Sequence, residues 1–355
     1  MNVRILREAG GLGDVICTLP VARAVKEKSP EAKVYYFCLE DYLDVIEHCP
    51  DVDMFVPVDM EGRRPRDQEP DAKAHAYLAT ENLSEDARKA LGDGGFDQTI
   101  DLWCPAFRYE KEQGHNVARS RIESFCESAG VTPSDYLPRY VVTEKERAWA
   151  RGWIEAQGFE RRSVVGLQPF SLNNRRDWPV QNWIDLADIL QKQGAAVLVF
   201  HSFFSKVKDI PGRRVTSLPL AQVAAILTEC DCVVTPDSGL FHLSAAVGAP
   251  AVGLFGSTSA VQTAKHYPLH KVIWPKDAPR EHKCNAPCMS FQWCGCEQKC
   301  HENGCEILAK IKVQEVLDMI APMRQKAGVE REQKLQRTRK PRRKLVMAAE
   351  KVEVK

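Results

Sequence analysis

Two doubly wound α/β domains facing each other across a cleft are predicted by three observations. Short apolar runs alternate with helical patterns through residues 1–140 and again from Ser163 onward, a rhythm that implies parallel strands joined by crossover helices. The 355 residues suit two domains of roughly 150–170 residues better than one large core. Small, polar turns at Gly10–Asp14 and Pro236–Gly239 each follow a strand and open a helix, where open parallel sheets bind ligands.

In the first half, Val3–Leu6 reads as a strand and Val15–Lys28 as a helix. Lys33–Leu39 (KVYYFCL) is a strand rich in β-favouring residues, Asp41–His48 a short helix and Met54–Val58 a third strand. Glu61–Gly95 is polar, carries Pro65 and Pro70, and reads as a helix-bearing insertion. Phe96–Leu102 is a further strand, Asn116–Ala129 a helix closed by Gly130, and Glu144–Gln157 a charged helix that ends at Gly158 and leads out of the domain.

The second alternation begins with the strand Ser163–Leu167. The helix Pro179–Gln193 starts with a proline whose missing N–H is harmless in a first turn, and Gly194 closes it. Strands follow at Ala195–Phe200, Cys232–Thr235, Ala249–Phe255 and Val272–Trp274, with helices at Leu220–Thr228, Leu240–Val247 and Glu306–Met323. The predicted division is 1–158, 159–323 with a Cys-rich loop at 284–305, and a basic tail at 324–355.

Composition narrows the class. Hydrophobic residues are 44% and charged residues 27%, which excludes wholesale disorder. No apolar run approaches the ~20 residues of a membrane span. Met1 leads straight into a strand without a charged-then-apolar leader, so the expected location is cytoplasmic. Lys+Arg total 49 against 48 Asp+Glu, a net charge of +1 that hides an asymmetry. Arg337–Lys344 (RTRKPRRK) has six basic residues in eight, leaving a net −5 on the remainder.

Three constellations carry chemistry. In Gly10-Gly-Leu-Gly-Asp14, Gly11 and Gly13 let backbone amides approach a ligand, and Asp14 is placed at the end of the first strand, pointing into the cleft as a general base or capping its own helix. In Pro236-Asp-Ser-Gly239, Asp237 is expected to cap the next helix. The amides of Ser238, Gly239 and Leu240 then face an anion, with His242 on the same turn. The alternative is a capped turn with a core histidine. In Asn174-Arg-Arg-Asp-Trp-Pro179, Arg176 offers a planar donor fork suited to a diphosphate, while Arg175 reads as solvated.

Together these segments, with Ile5–Asp14, Leu19–Ala24, Arg176–Pro179, Val233–Gly239, His242 and Leu254–Thr258, make the chain resemble glycosyltransferase family 9, the bacterial ADP-heptose lipopolysaccharide heptosyltransferases. The resemblance spans most of residues 1–320. It implies a GT-B fold of two Rossmann-like domains, the acceptor on the first and the nucleotide-sugar on the second. It also implies inverting single displacement without a catalytic metal. Asp14 is then the base, helped by a near-neutral pKa. Arg176 and the Asp237–Leu240 helix start stabilise the leaving diphosphate. Arg176 stands where the family usually has Lys, and Ser171 matches the family's upstream hydroxyl residues only loosely. His201–Phe204 replaces an expected ribose-binding acid.

Six of the 13 cysteines lie at Cys284, Cys288, Cys294, Cys296, Cys300 and Cys305. In a leaderless chain this clustering favours a tetrahedral Zn or an Fe site over disulfides. The first-choice ligands are Cys284, Cys288, Cys300 and Cys305, in a structural role. Family members that modify autotransporter adhesins are similar in having a Cys-ligated iron finger here. Cys17, Cys38, Cys49, Cys104, Cys126, Cys230 and Cys232 read as small buried hydrophobes.

The expected activity is transfer of a sugar, heptose by resemblance, from a nucleotide-diphosphate donor to a hydroxyl of a glycan, lipid-linked glycan or protein. The expected setting is cytoplasmic or peripheral at the inner membrane face. Two alternatives are a non-catalytic nucleotide-sugar-binding or assembly protein with a metal finger, and a transferase whose acceptor is nucleic acid held by the basic tail.

Overall fold

The computed structural model describes residues 1–7, 10–57, 95–102, 109, 118–160, 162–171, 174–201, 207–277 and 304–349, with side chains in the last stretch described to residue 333. The predicted insertion at 61–95, apart from Gly95, lies outside the described residues, as do Cys104 and the Cys-rich loop up to residue 303.

The first sheet contains β1 (Asn2–Arg7), β2 (Lys33–Cys38), β3 (Met54–Pro57) and β4 (Gln98–Asp101), all parallel, in the order β3-β2-β1-β4. The second contains β5 (Val164–Leu167), β6 (Ala196–Phe200), β7 (Arg213–Val215), β8 (Cys232–Pro236), β9 (Ala251–Leu254) and β10 (His270–Ile273). These too are parallel, in the order β10-β9-β8-β5-β6-β7. Every residue of β5, β6, β8 and β9 is buried, as strands covered by helices on both faces must be. Both sheets are as the alternation predicted. Only β7 escaped the reading, because Arg213 and Arg214 mask its single buried residue, Val215.

The described helices are α1 (Leu12–Lys28), α2 (Leu43–Glu47), α3 (Arg121–Ser128), α4 (Glu144–Ala156), α5 (Val180–Lys192), α6 (Leu220–Thr228), α7 (Gly239–Val247), α8 (Ala260–Ala264), α9 (Glu306–Ala309) and α10 (Val313–Ala349). In α5, Trp183, Leu186, Ala187 and Leu190 recur at helical spacing and are buried, giving the apolar stripe that docks it on the second sheet.

Several boundaries moved. The helix predicted from Asn116 starts at Arg121, because Ser120 and Glu123 form a reciprocal capping box that fixes the first turn there. The helix predicted over Glu306–Met323 is two helices. Between them Ile311 is buried and its carbonyl accepts from Trp178 Nε1 at 3.1 Å. α10 continues through the predicted tail to Ala349. Its Arg331 Nη2 donates to both carboxylate oxygens of Asp231 at 2.9 and 2.8 Å, and Arg324 Nε donates to Ser163 Oγ at 3.0 Å, which moors this helix to the second half.

One buried cluster runs from the first sheet through α1, α6 and α7 to one face of the second sheet, and another fills the opposite face beneath α5 and α10. The two halves therefore share a core, and α1 meets α7 where their first turns abut. Gly13 and Gly239 make that approach possible: a Cβ on Gly13 would lie 2.5 Å from His242 Cδ2, and one on Gly239 would lie 2.9 Å from Leu12 Cβ.

Candidate functional site

The meeting of the α1 and α7 starts brings the predicted residues of the two halves together. Helix α1 begins at Leu12, three residues before the predicted start, so Asp14 belongs to its first turn and not to a loop. Gly11 N–H donates to Asp14 Oδ2 at 3.0 Å, so Asp14 does cap its own helix. Its other oxygen lies 3.6 Å from Arg121 Nη1 and 3.9 Å from Arg7 Nη2, while 30% of the side chain stays exposed. Burial works against the carboxylate, but Arg121, Arg7 and the Gly11 N–H outweigh it and hold the Asp14 pKa below its ordinary value. The near-neutral pKa expected for a base is thus corrected to a carboxylate that is ionised throughout the neutral range. The Gly11 amide serves Asp14, and Gly13 provides room for the His242 ring.

Across the junction, Ser238 and not Asp237 is the N-cap of α7: its Oγ accepts from Phe241 N at 3.4 Å. The Ser238 hydroxyl also reaches Gln168 Oε1 at 2.5 Å. Relieved of capping, Asp237 is 2% exposed and places Oδ2 3.5 Å from Arg176 Nη1 and Oδ1 3.7 Å from His242 Nε2. Arg176 Nη1 also donates to the Asp237 carbonyl at 3.1 Å. Burial again opposes the charge, yet Arg176 and His242 hold the Asp237 carboxyl far below the usual carboxylate range. Arg121 acts on Asp237 as well as on Asp14, so one guanidinium links the two acidic residues of the site.

His242 is buried at 3% exposure, but it is not an inert core histidine. Its Nδ1 meets Tyr267 Oη at 2.6 Å and Cys17 Sγ at 3.5 Å, a contact that crosses from α7 to α1. Burial disfavours the imidazolium, but Cys17 and Asp237 outweigh it and raise the pKa to about 10. A folded pKa above the ordinary 6.5 means the stabilisation is complete below 6.5 and is lost as pH rises through about 10. Thermal unfolding scanned from neutrality to above pH ~10 should show an alkaline loss that His242→Gln lacks. Identical alkaline slopes in both proteins would contradict a charged His242.

The remaining predicted residues lie nearby or outside the described set. Ser171 N donates to Asp177 Oδ1 at 3.0 Å, within the loop that carries Arg176. Arg175, expected to be solvated, is 2% exposed, and its carbonyl accepts from Ser257 Oγ at 3.1 Å. Cys284, Cys288, Cys294, Cys296 and Cys300 lie outside the described residues. Cys305 is buried and faces Gly256, where an added Cβ would sit 2.9 Å from its Sγ. Among the described residues, no group of three or more His, Cys, Asp or Glu is arranged to hold a metal, and no helix is long and apolar enough to cross a membrane.

Sequence reasoning missed Arg7, Arg121, Cys17 and Tyr267. The capping box at Ser120 marks the start of α3 and hence places Arg121 in its first turn, whereas nothing local distinguishes Cys17 or Tyr267.

The chain is similar in sequence and fold to known proteins. The chain is 19% identical over 307 residues to the lipopolysaccharide core heptosyltransferase OpsX of Haemophilus influenzae, covering 79% of this chain and 87% of that protein. Its structure superposes on the Escherichia coli ADP-heptose lps heptosyltransferase II with a TM-score of 0.65 at 18% identity, covering 92% of this chain and 99% of the other. The iron-containing dodecameric glycosyltransferase TibC from enterotoxigenic E. coli H10407 superposes with a TM-score of 0.58 at 15% identity, covering 92% and 76%. These structures share the GT-B arrangement of parallel α/β sheets. The profile of glycosyltransferase family 9 (heptosyltransferase) matches residues 87–293, more than half of the chain. The chain belongs to glycosyltransferase family 9 and is a nucleotide-sugar-dependent glycosyltransferase.

Proposed function

We propose that this enzyme is an inverting transferase that moves heptose from ADP-heptose to a hydroxyl of a glycan acceptor in lipopolysaccharide assembly. In this reading residues 1–158 receive the acceptor, 159–323 hold the donor, and 324–355 form a basic extension. The observation that carries it is the convergence of Asp14 with Arg176, Asp237 and His242 at the junction of two helix starts from different halves.

Asp14 takes the acceptor proton as the acceptor oxygen forms its bond to the anomeric carbon. The bond from that carbon to the diphosphate breaks, and its electron pair leaves on the nucleoside diphosphate. A carboxylate with a lowered pKa is a weak base. It suits a reaction in which the leaving group departs early, since the attacking hydroxyl becomes acidic only as its oxygen bonds to the cationic carbon. Arg176, the imidazolium of His242 and the amides at the start of α7 supply positive charge where the leaving diphosphate accumulates negative charge. Because Asp237 already occupies Arg176 and His242 in the free enzyme, these cations are held in place before the diphosphate arrives.

Cys284, Cys288, Cys300 and Cys305 are the proposed ligands of a structural Zn or Fe ion, with Cys294 and Cys296 as substitutes. The iron-containing TibC, which shares this fold, and the buried position of Cys305 support this assignment. Cys305 packs on the loop after β9, so a metal there would brace the donor half.

Native mass spectrometry of the purified protein, followed by a thermal-shift panel of ADP-, UDP-, GDP- and dTDP-sugars, tests the reading. ADP-heptose should raise the melting temperature more than any other donor, and Zn or Fe should be found at one equivalent. A preference for a different nucleotide would overturn the donor assignment, and metal-free protein of full stability would overturn the metal assignment.

A further inference from the structure

The segment after β9 runs between the loop that carries Arg176 and α3. It leaves the sheet beside β8, where Leu254 pairs with Pro236, so it starts level with the Asp237 turn. At its near end Ser257 Oγ donates to the Arg175 carbonyl at 3.1 Å, next to the proposed diphosphate cation Arg176. At its far end Lys265 Nζ and His266 Nε2 lie 2.7 and 3.2 Å from Glu123 Oε1 on α3. The same helix carries Arg121, 3.6 Å from Asp14. The segment therefore runs from the loop that carries Arg176 to α3, the helix whose Arg121 pairs with Asp14.

Midway along it is Gln262, in α8. The residue is 1% exposed, and neither its Nε2 nor its Oε1 has a hydrogen-bond partner among the described residues. Native interiors pair nearly all such groups, and an amide with both ends unmet signals an absent ligand or water. Its neighbours are polar too. Ser257, Thr258, Ser259 and Thr263 are all buried, although Thr263 Oγ1 is engaged by the Ser259 carbonyl at 3.1 Å. A run of buried hydroxyls around an unsatisfied amide is lining made for a polar guest.

We propose that Gln262 reads hydroxyl groups of the transferred sugar. A primary amide presents two N–H donors and a carbonyl acceptor in one plane, which matches adjacent hydroxyls that each donate and accept. A hydrocarbon surface at this place would offer a sugar nothing in exchange for its lost water. The assignment rests on the donor reading above and adds the residue that distinguishes a nucleotide-sugar from the bare nucleotide.

The test is Gln262→Leu, measured by thermal unfolding of the free protein and by calorimetric binding of ADP and of ADP-heptose. Gln262→Met, which keeps the length without hydrogen-bonding ends, is run beside it in case the branched side chain impairs folding. The expected result is an unchanged or raised melting temperature, unchanged ADP affinity and roughly tenfold weaker ADP-heptose binding, because removing an orphaned amide harms only the complex that used it. Undiminished ADP-heptose binding, or a lowered melting temperature with both ligands weakened together, overturns the assignment. A wild-type protein that binds neither ligand overturns the donor reading itself, and that result is distinct from a selective change in the variant.

Discussion

Asp14→Asn should lower the transfer rate by about 10²–10⁴-fold while ADP-heptose still binds with near wild-type affinity. The amide keeps the shape of the carboxylate, and its carbonyl still accepts the Gly11 N–H that Asp14 Oδ2 accepts at 3.0 Å, so α1 starts at the same place. What disappears is the only charge on Asp14 that can take a proton from the acceptor. The proposed donor-binding residues Arg176 and His242 stand in the other half with Asp237, so the substitution should cost donor binding no direct contact. Rapid-quench measurement of product with saturating donor and acceptor, together with calorimetry of ADP-heptose, separates the two effects. A variant with wild-type turnover would remove Asp14 as the base.

The pH profile adds an independent check. Arg121, Arg7 and the Gly11 amide keep Asp14 ionised below the ordinary carboxylate value of 3.8. The acidic limb of kcat/KM should therefore show no titration near neutrality from this group. Weakening the ion pair by Arg121→Gln should move the acidic limb upward towards the usual carboxylate range.

The parallel sheets and the convergence of the candidate residues at strand ends were legible because both depend on local pattern. Apolar runs such as Ala196–Phe200 and Cys232–Pro236 are buried on both faces and read as continuous hydrophobic strands, and a small polar turn after a strand marks the ligand edge. The chemistry within the site was less legible, because it depends on contacts distant in sequence. Asp237 looked like the cap of α7, and only the structure shows Ser238 in that role and Asp237 held by Arg176 and His242. Local sequence cannot choose between adjacent Asp and Ser as a cap, since both are favoured there. Arg175 looked like the solvated one of the pair, yet it is buried at 2% exposure while Arg176 keeps 24% of its side chain exposed. The Cys17–His242–Tyr267 contact joins residues 225 and 25 positions apart, beyond the reach of any periodicity.

Asp237→Asn should be the most destabilising single change at the site, and its defect should be repaired by an anion. In the free enzyme this carboxylate, 2% exposed, lies between Arg176 and His242, and both contacts are short of 4 Å. Removing its charge leaves two cations facing a neutral amide in a largely dry setting. Breaking a buried pair in this way costs about 3–5 kcal/mol, towards the lower end here because Arg176 keeps some water. At roughly 2–4 °C per kcal/mol, the melting temperature should fall by about 6–12 °C. His242 also loses the partner that helps raise its pKa to about 10, so the alkaline loss of stability should move to lower pH. The diphosphate of ADP can supply the missing negative charge to both cations. Saturating ADP should consequently raise the melting temperature more in the variant than in the wild type, by linkage between binding and folding. Calorimetric scans of both proteins with and without ADP decide the matter. An unchanged melting temperature would show that the Asp237 cluster contributes little to folding, and equal ADP-induced shifts would show that Arg176 and His242 do not receive the diphosphate.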